Sequence, residues 1–255
     1  MTLSLPPELA DFTAWFWLAA GGLVFFLGGI VKGTLGVGLP LVVVPLLSLG
    51  LPTSLAISLM VVPVLAANAW QTYDNRSSRG NMRRFAPLVI SLVISMAATV
   101  SMTLGLSASA LNAMMAIAVL VAVALMALNS PFSLAGPLEK PVGVLVGALA
   151  GILGGVSSLT GPIIISYLMA LKLKREEFIG SVSVIYLFGL VPLYASLAFH
   201  GRLQWSHLVI STIAMVPIML GMALGKCLRG RISEEWFRRT LLLFLLGIAF
   251  ALLLK

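Results

Sequence analysis

Charged residues are scarce in this chain of 255 residues, of which 9% are charged and 60% are hydrophobic. With a mean hydropathy of +1.11, the chain has too little polar surface to coat a water-soluble globule. Several apolar stretches reach the roughly 17 to 25 residues that a helix needs to cross the hydrocarbon core. The composition therefore predicts an integral membrane protein.

Acidic residues are the rarest charged group, with 8 in the whole chain. All of them fall in loops or at the ends of apolar segments: Glu8, Asp11, Asp74, Glu139, Glu176, Glu177, Glu234 and Glu235. Proton-coupled transporters commonly place an Asp or Glu inside the membrane to carry the proton. The sequence therefore argues against proton coupling through a carboxylate.

Cysteine and catalytic motifs are also lacking. Cys227 is the only cysteine, which excludes an internal disulfide, and it has no neighbours with metal-ligand spacing. We find no nucleotide-binding loop and no nucleophile beside a base, so we expect neither an enzyme nor a cofactor. The net charge of +8 falls in short loops between apolar segments rather than on one soluble face. We interpret it as an orientation signal and exclude nucleic acid as a partner.

Ten apolar segments lie between turn signals, at 14–32, 35–50, 53–71, 85–105, 108–128, 141–156, 158–171, 177–199, 205–225 and 235–254. The second and seventh segments are short, and each is separated from its predecessor only by a glycine-rich turn. Each such pair is compatible with two tilted spans, a re-entrant hairpin or one broken helix.

Basic residues form three loop clusters: Arg76, Arg79, Arg83 and Arg84; Lys172, Lys174 and Arg175; and Lys226, Arg229, Arg231, Arg238 and Arg239. The excess of Lys and Arg in cytoplasmic loops predicts that all three face the cytoplasm. The N-terminus and the C-terminus would then both lie outside.

A glycine-rich motif occurs twice. An offset of 122 residues superposes Gly29 on Gly151, Gly33 on Gly155 and Pro40 on Pro162. The same offset superposes the third segment on the eighth. The positions of the basic loops predict that these two segments cross the membrane in opposite directions. We therefore predict an all-α polytopic membrane bundle of two inverted-topology repeats, 1–130 and 131–255, with broken or re-entrant glycine-rich helices. Substrate sites in such proteins lie near the bilayer midplane, between the repeats.

The two motifs disfavour continuous helices, because glycines precede Pro40 and a Ser-Ser-Leu-Thr-Gly run precedes Pro162. A break in the membrane frees backbone amides, and the N-terminus of a half-helix suits an anion. The alternative is that the breaks merely bend helices around one another. Glycines at 143, 147, 151 and 155 share one helical face, which predicts close helix packing.

Lys32 is the only charged residue inside a hydrophobic stretch, and its counterpart in the second repeat is Gly154. A lysine at membrane depth is costly unless it snorkels, pairs or faces water. Because all acidic residues lie in loops or at segment ends, Lys32 either snorkels to an interface or supplies positive charge to a bound anion.

The predicted substrate-binding residues lie in the two motifs and on the third and eighth segments: Lys32, Gly33, Gly36, Gly38, Pro40, Asn68, Gln71, Ser157, Ser158, Thr160, Gly161 and Tyr186. The hydroxyls of the second motif can donate hydrogens to anionic oxygens. Asn68, Gln71, Tyr186 and also Tyr194 carry an alternative role in bonding between helices or at the membrane interface.

The two glycine motifs, the Pro-Leu-Val-Val-Val-Pro-Leu-Leu-Ser-Leu-Gly-Leu-Pro stretch from Pro40 to Pro52 and the basic loop before the eighth segment resemble the TauE/SafE sulfite-exporter family. The resemblance covers nearly the whole chain. The family pattern usually has consecutive glycines before the proline, whereas this chain reads Gly-Val-Gly-Leu-Pro up to Pro40.

This resemblance implies a multi-pass permease of the bacterial inner membrane that moves small anions such as sulfite or organosulfonates. We accordingly expect a secondary transporter, an exporter working by alternating access. The alternatives are uptake of a small carboxylate or sulfonate, and a membrane assembly factor that transports nothing. The expected partners are a small anionic substrate and membrane lipids, and a homodimer is left open.

Overall fold

The computed structural model describes residues 7–35, 38–74, 81–103, 105–127, 134, 136–228, 231 and 234–254. Within these ranges every regular element is helical. The α-helices are α1 Pro7–Leu35, α2 Leu39–Gly50, α3 Thr53–Ser58, α4 Val61–Asp74, α5 Asn81–Thr103, α6 Ala108–Ala127, α7 Glu139–Ser157, α8 Gly161–Ala170, α9 Arg175–Gly189, α10 Val191–Phe199, α11 Trp205–Ile213, α12 Met215–Leu228 and α13 Glu234–Leu253. A 3₁₀ turn, Gly136–Leu138, precedes α7.

The ten predicted segments are confirmed. Six stretches are long and apolar enough to cross a membrane: Thr53–Tyr73, Arg83–Thr103, Ala108–Ala127, Gly136–Ser157, Glu177–Phe199 and Trp205–Leu228. Four shorter apolar helices complete the set: Ala19–Leu35, Leu39–Gly50, Gly161–Ala170 and Arg239–Leu253. The chain is an all-α, multi-pass membrane protein.

Three long segments contain an unpredicted break, so that α3 and α4, α9 and α10, and α11 and α12 each form one interrupted segment. A proline follows each break within two to four residues: Pro63, Pro192 and Pro217. Proline lacks the N–H that would bond the carbonyl four residues earlier. At the first break, Ser211 Oγ donates to the freed Leu59 O at 2.7 Å. A neighbouring segment thus satisfies the exposed backbone, as a membrane interior requires.

Each glycine motif joins two helices in a hairpin. The helix ends are in the predicted repeat register, because α1 ends at Leu35 and α7 at Ser157, 122 residues later. Val43 of α2 packs on Gly28 of α1, so α2 folds back along α1 rather than continuing it. The short helices α2 and α8 have 12 and 10 residues. At 1.5 Å per residue they are about 18 and 15 Å long, roughly half of the hydrocarbon core.

The two most extensive helix contacts join the halves of the chain, α1 with α12 and α5 with α7. Gly29 packs on Ile218 and Gly221 of α12, and a methyl group at Gly33 would lie 3.0 Å from the Gly225 Cα. Both helix pairs are parallel, because successive glycines contact successive turns of the partner helix. In the second pair, the glycine face of α7 packs on α5 between Leu88 and Thr99. The predicted packing role of this face is confirmed.

The third and eighth segments, which the repeat superposes, run antiparallel beside each other. At one end Ser58 Oγ lies 3.3 Å from Arg202 O and 2.9 Å from Ser54 O in its own helix. At the other end Gln71 Oε1 lies 3.1 Å from the Ser183 hydroxyl. We call the end with Gln71 the basic end, because the basic loops adjoin it, and the end with Arg202 the opposite end. Arg76, Arg79 and Arg229 lie outside the described residues.

Large hydrophobic side chains cover much of the outer surface of the bundle. On α5, Ile90 and Ile94 are exposed, and on α12 Val216, Met219 and Leu220 are exposed. Such apolar surface is far larger than the isolated patches of water-soluble monomers. It is the surface expected of a helix bundle that spans a membrane.

Candidate functional site

Lys32 lies in a polar contact among three segments, which we call the lysine cluster: Lys32 on α1, Gln71 on α4 and Ser183 on α9. Lys32 is 6% exposed, and its Nζ lies 3.5 Å from Gln71 Oε1. The Ser183 hydroxyl lies 3.1 Å from the same oxygen and 2.8 Å from Ile179 O, and has one hydrogen to donate. The cluster brings together one residue of the first motif and one residue from each of the third and eighth segments.

The charge of Lys32 is poorly compensated. Lys32 forms no ion pair with a carboxylate of the described residues, so none of them neutralises this ammonium. A contact of 3.5 Å to one amide oxygen lies beyond the usual range of a strong hydrogen bond. Because a buried ammonium needs paired charge or hydrogen bonds, the site is suited to an anion. The burial of Lys32 argues against snorkelling.

Three buried hydroxyls near the second glycine motif form what we call the hydroxyl cluster: Ser158, Tyr186 and Tyr194. Among the described residues, none of these three oxygens has a hydrogen-bond partner. The Tyr194 hydroxyl lies near the Ser158 hydroxyl, but the two are not in hydrogen-bonding geometry. The Tyr186 hydroxyl faces the first residue of α8, since a methyl group at Gly161 would lie 2.6 Å from Tyr186 Oη.

Leaving these hydroxyls unbonded is costly, at about 1–3 kcal/mol for each buried group. Each hydroxyl can donate one hydrogen, and the free amide of Gly161 at the start of α8 adds a partial positive charge. Ser158 itself has a left-handed backbone, with φ 62°. Donors without acceptors around a helix N-terminus are an arrangement that an oxyanion would complete.

The eighth segment links the two clusters. Ser183, Tyr186, Leu190, Tyr194 and Leu197 recur at intervals of 3, 4, 4 and 3 residues, which places them on one helical face. At 1.5 Å per residue, Ser183 and Tyr194 are about 16 Å apart along the segment. This face, which we call the hydroxyl stripe because it carries the hydroxyls of Ser183, Tyr186 and Tyr194, therefore runs from the lysine cluster to the second motif.

Three other predicted residues form local contacts. The Ser157 hydroxyl donates to Leu153 O at 2.6 Å and accepts from the Leu159 amide at 3.2 Å. Asn68 Nδ2 donates to Val64 O at 2.8 Å, one turn earlier in its own helix. Thr160 is buried and its methyl group packs toward Gly154. These contacts fix the backbone of the second motif and of α4.

The predicted residues of the first motif line the start of α2 and the contact with α12. Gly38 precedes α2 with φ 96°, and Pro40 is buried at the second position of that helix. Gly33 packs against Met222 and Gly225. Gly36 lies outside the described residues.

Sequence reasoning missed Ser183, which is fully buried. It also missed Arg202, which lies at the opposite end of the eighth segment. The signal that would have found Ser183 is its position three residues before Tyr186, because residues three or four positions apart share one face of a helix. In the described ranges, no three His, Cys, Asp or Glu side chains are grouped as metal ligands would be.

The chain was compared with protein families, curated proteins and solved structures. The family model described as Sulfite exporter TauE/SafE matches residues 21–252, nearly the whole chain. No curated protein and no solved structure matches the chain.

Proposed function

Because the chain belongs to the sulfite exporter TauE/SafE family, we propose that it is a secondary transporter that exports sulfite or a small organosulfonate. Membership makes it a membrane permease, and this fits a chain in which we found no catalytic motif. The proposal adds a substrate, a direction and a binding site to that assignment. It also locates the protein in the inner membrane of a bacterium.

The hydroxyl cluster is the observation that carries the proposal. Sulfite and sulfonates each present three oxygens on one sulfur, and Ser158, Tyr186 and Tyr194 offer three hydroxyl donors without acceptors. The N-terminus of α8 adds free amides in the same place. Lys32 supplies a full positive charge at the other end of the hydroxyl stripe. An oxyanion therefore finds donors and charge along one helix face.

The packing supports transport by two inverted repeats, 1–130 and 131–255. Under the offset of 122, α1 corresponds to α7, and the two parallel contacts of α1 with α12 and of α7 with α5 correspond to each other. The third and eighth segments run antiparallel, as inversion requires. Movement of one repeat against the other would expose the stripe to each side of the membrane in turn.

Flux measurement in proteoliposomes tests the proposal. The purified protein is reconstituted, radiolabelled sulfite is supplied on one side, and flux is followed under imposed ion and pH gradients. We expect saturable flux that unlabelled sulfite and methanesulfonate reduce more strongly than acetate. Stronger competition by acetate would favour the carboxylate alternative, and no saturable anion flux under any gradient would favour an assembly factor.

A further inference from the structure

An open cleft lies at the opposite end of the bundle, away from the basic loops. It encloses about 520 Å³, including its open mouth. Both halves of the chain contribute to its lining, which includes Thr53, Thr103, Gly155, Val156, Leu193 and Arg202. The cleft is therefore an entrance between the two proposed repeats rather than a groove on one of them.

Arg202 has a fixed backbone at the rim of this cleft. The Arg202 amide donates to Leu197 O at 2.8 Å and the Gly201 amide to Ala198 O at 3.1 Å. With Gly201 at φ 64°, these two bonds form a Schellman motif that ends α10. Ser58 Oγ of the first half of the chain lies 3.3 Å from Arg202 O and 2.9 Å from Ser54 O, and its one hydrogen is shared between them. These contacts hold the backbone of the exposed arginine where the two halves meet.

The charge of Arg202 is available to a ligand. Its side chain is exposed and forms no ion pair with a carboxylate in the part of the chain that the structure describes. All the other residues that line the cleft are uncharged, and the polar ones are the hydroxyl residues Thr53, Ser54 and Thr103. A cation over neutral hydroxyls attracts anions and rejects cations.

The floor of the cleft adjoins the hydroxyl cluster. Gly155 and Val156 line the cleft and come directly before the Ser157-Ser158 pair. Leu193 lines it one residue before Tyr194, and Leu197 continues the hydroxyl stripe to the rim. The stripe therefore leads from the cleft to the unbonded hydroxyls.

We propose that this cleft is the outer mouth of the anion route and that Arg202 binds the oxyanion there. The inference rests on the proposed transport function and adds a second binding position to it. The guanidinium group offers parallel N–H donors that match two oxygens of a sulfite or sulfonate. Because the position is open to solvent, binding there is weaker than at the buried cluster and falls with ionic strength.

Charge exchange at this position tests the inference. Cys227 is the only cysteine, so the C227S variant has no thiol and serves as the parent protein. Adding R202C to this parent places a single thiol at position 202. Right-side-out vesicles are treated with a membrane-impermeant alkylating reagent that leaves either a trimethylammonium or a sulfonate group on a thioether, a bond that sulfite does not cleave, and excess reagent is washed away. Exchange of external radiolabelled sulfite is then measured at several sulfite concentrations. Both adducts form on the same folded protein, which separates the effect of charge from folding.

We expect R202C to raise the half-saturating external sulfite concentration at least fivefold, with a much smaller change in maximal flux. The cationic adduct should lower that concentration toward the parent value, and the anionic adduct should raise it further. R231C, which alters an exposed arginine at the basic end, should saturate like the parent. Normal flux in the parent with no response to charge at position 202 would overturn the inference. No flux in the parent would overturn the proposed transport function and this inference with it.

Discussion

The two glycine motifs occupy equivalent positions in the repeat but differ in chemistry. Near the first motif, Lys32 brings a positive charge whose hydrogen-bond contact is the Gln71 amide oxygen at 3.5 Å. Its counterpart in the second motif is Gly154, and the donors there are three neutral hydroxyls without partners. The backbone breaks are shared, whereas charge and neutral donors are divided between the halves. A duplicated scaffold can therefore hold an asymmetric anion route.

The largest effect is expected from substitution of the glycines through which each motif packs against a neighbouring helix. Replacing Gly29 or its counterpart Gly151 with leucine should abolish the folded protein, because the new side chain would meet backbone atoms of α12 or α5. Folded yield and Tm by size-exclusion chromatography and thermal unfolding measure the effect. Gly21→Leu is the matched control, since nothing lies within 4 Å of that position. Folded protein from both repeat variants would contradict this packing.

Removing the charge from the first motif should have the next largest effect. Lys32→Met should lower the sulfite flux at subsaturating concentration by about 10- to 100-fold, because a hydrogen bond to a charged group contributes about 1.5–3 kcal/mol. The assay is initial flux in proteoliposomes at matched protein content. Lys226→Met removes an exposed lysine from α12 and should leave flux unchanged. Equal flux in native protein and Lys32→Met would remove Lys32 from the route.

Two Tyr→Phe variants compare a tyrosine hydroxyl without a hydrogen-bond partner, that of Tyr186, with one that forms a hydrogen bond inside the protein, that of Tyr167. Tyr186→Phe should keep or raise the stability of the ligand-free protein, because it removes a buried donor without a partner. It should also raise the half-saturating sulfite concentration by about tenfold, the effect of losing roughly 1.4 kcal/mol of binding. Thermal unfolding with and without sulfite, together with flux, measures both quantities.

Tyr167→Phe is the control for this pair, because the Tyr167 hydroxyl donates to Glu139 O at 3.0 Å. It should lower the free energy of unfolding by about 1 kcal/mol and leave the sulfite response unchanged. If Tyr186→Phe destabilises the ligand-free protein as Tyr167→Phe does, the Tyr186 hydroxyl has a structural role.

The sequence predicted the ten segments because apolar runs and turn residues are local signals. It did not predict the breaks near Pro63, Pro192 and Pro217, and proline alone is an insufficient signal. Pro45 and Pro87 lie inside the continuous helices α2 and α5. A proline interrupts or bends a membrane helix according to the neighbours that satisfy the freed carbonyl, as Ser211 does for Leu59.

The same reasoning separates what could be predicted of the site. Lys32 is conspicuous from composition alone, and Ser158 belongs to a visible motif. The contact among Lys32, Gln71 and Ser183 joins residues 39 and 112 positions apart. Such pairing depends on how segments pack, which apolar periodicity does not specify.

Accessibility along the eighth segment tests most directly whether one anion route joins the two motifs. In the C227S parent, single thiols are introduced by S183C, Y186C and Y194C on the hydroxyl stripe, and by F188C and V191C at exposed positions off it. Modification by a small thiol reagent is timed with and without methanesulfonate, a ligand of the proposed class that, unlike sulfite, does not react with the reagent. We predict that methanesulfonate slows modification at the three stripe positions and leaves the two others unchanged. Modification rates that methanesulfonate does not alter at any stripe position would contradict the account.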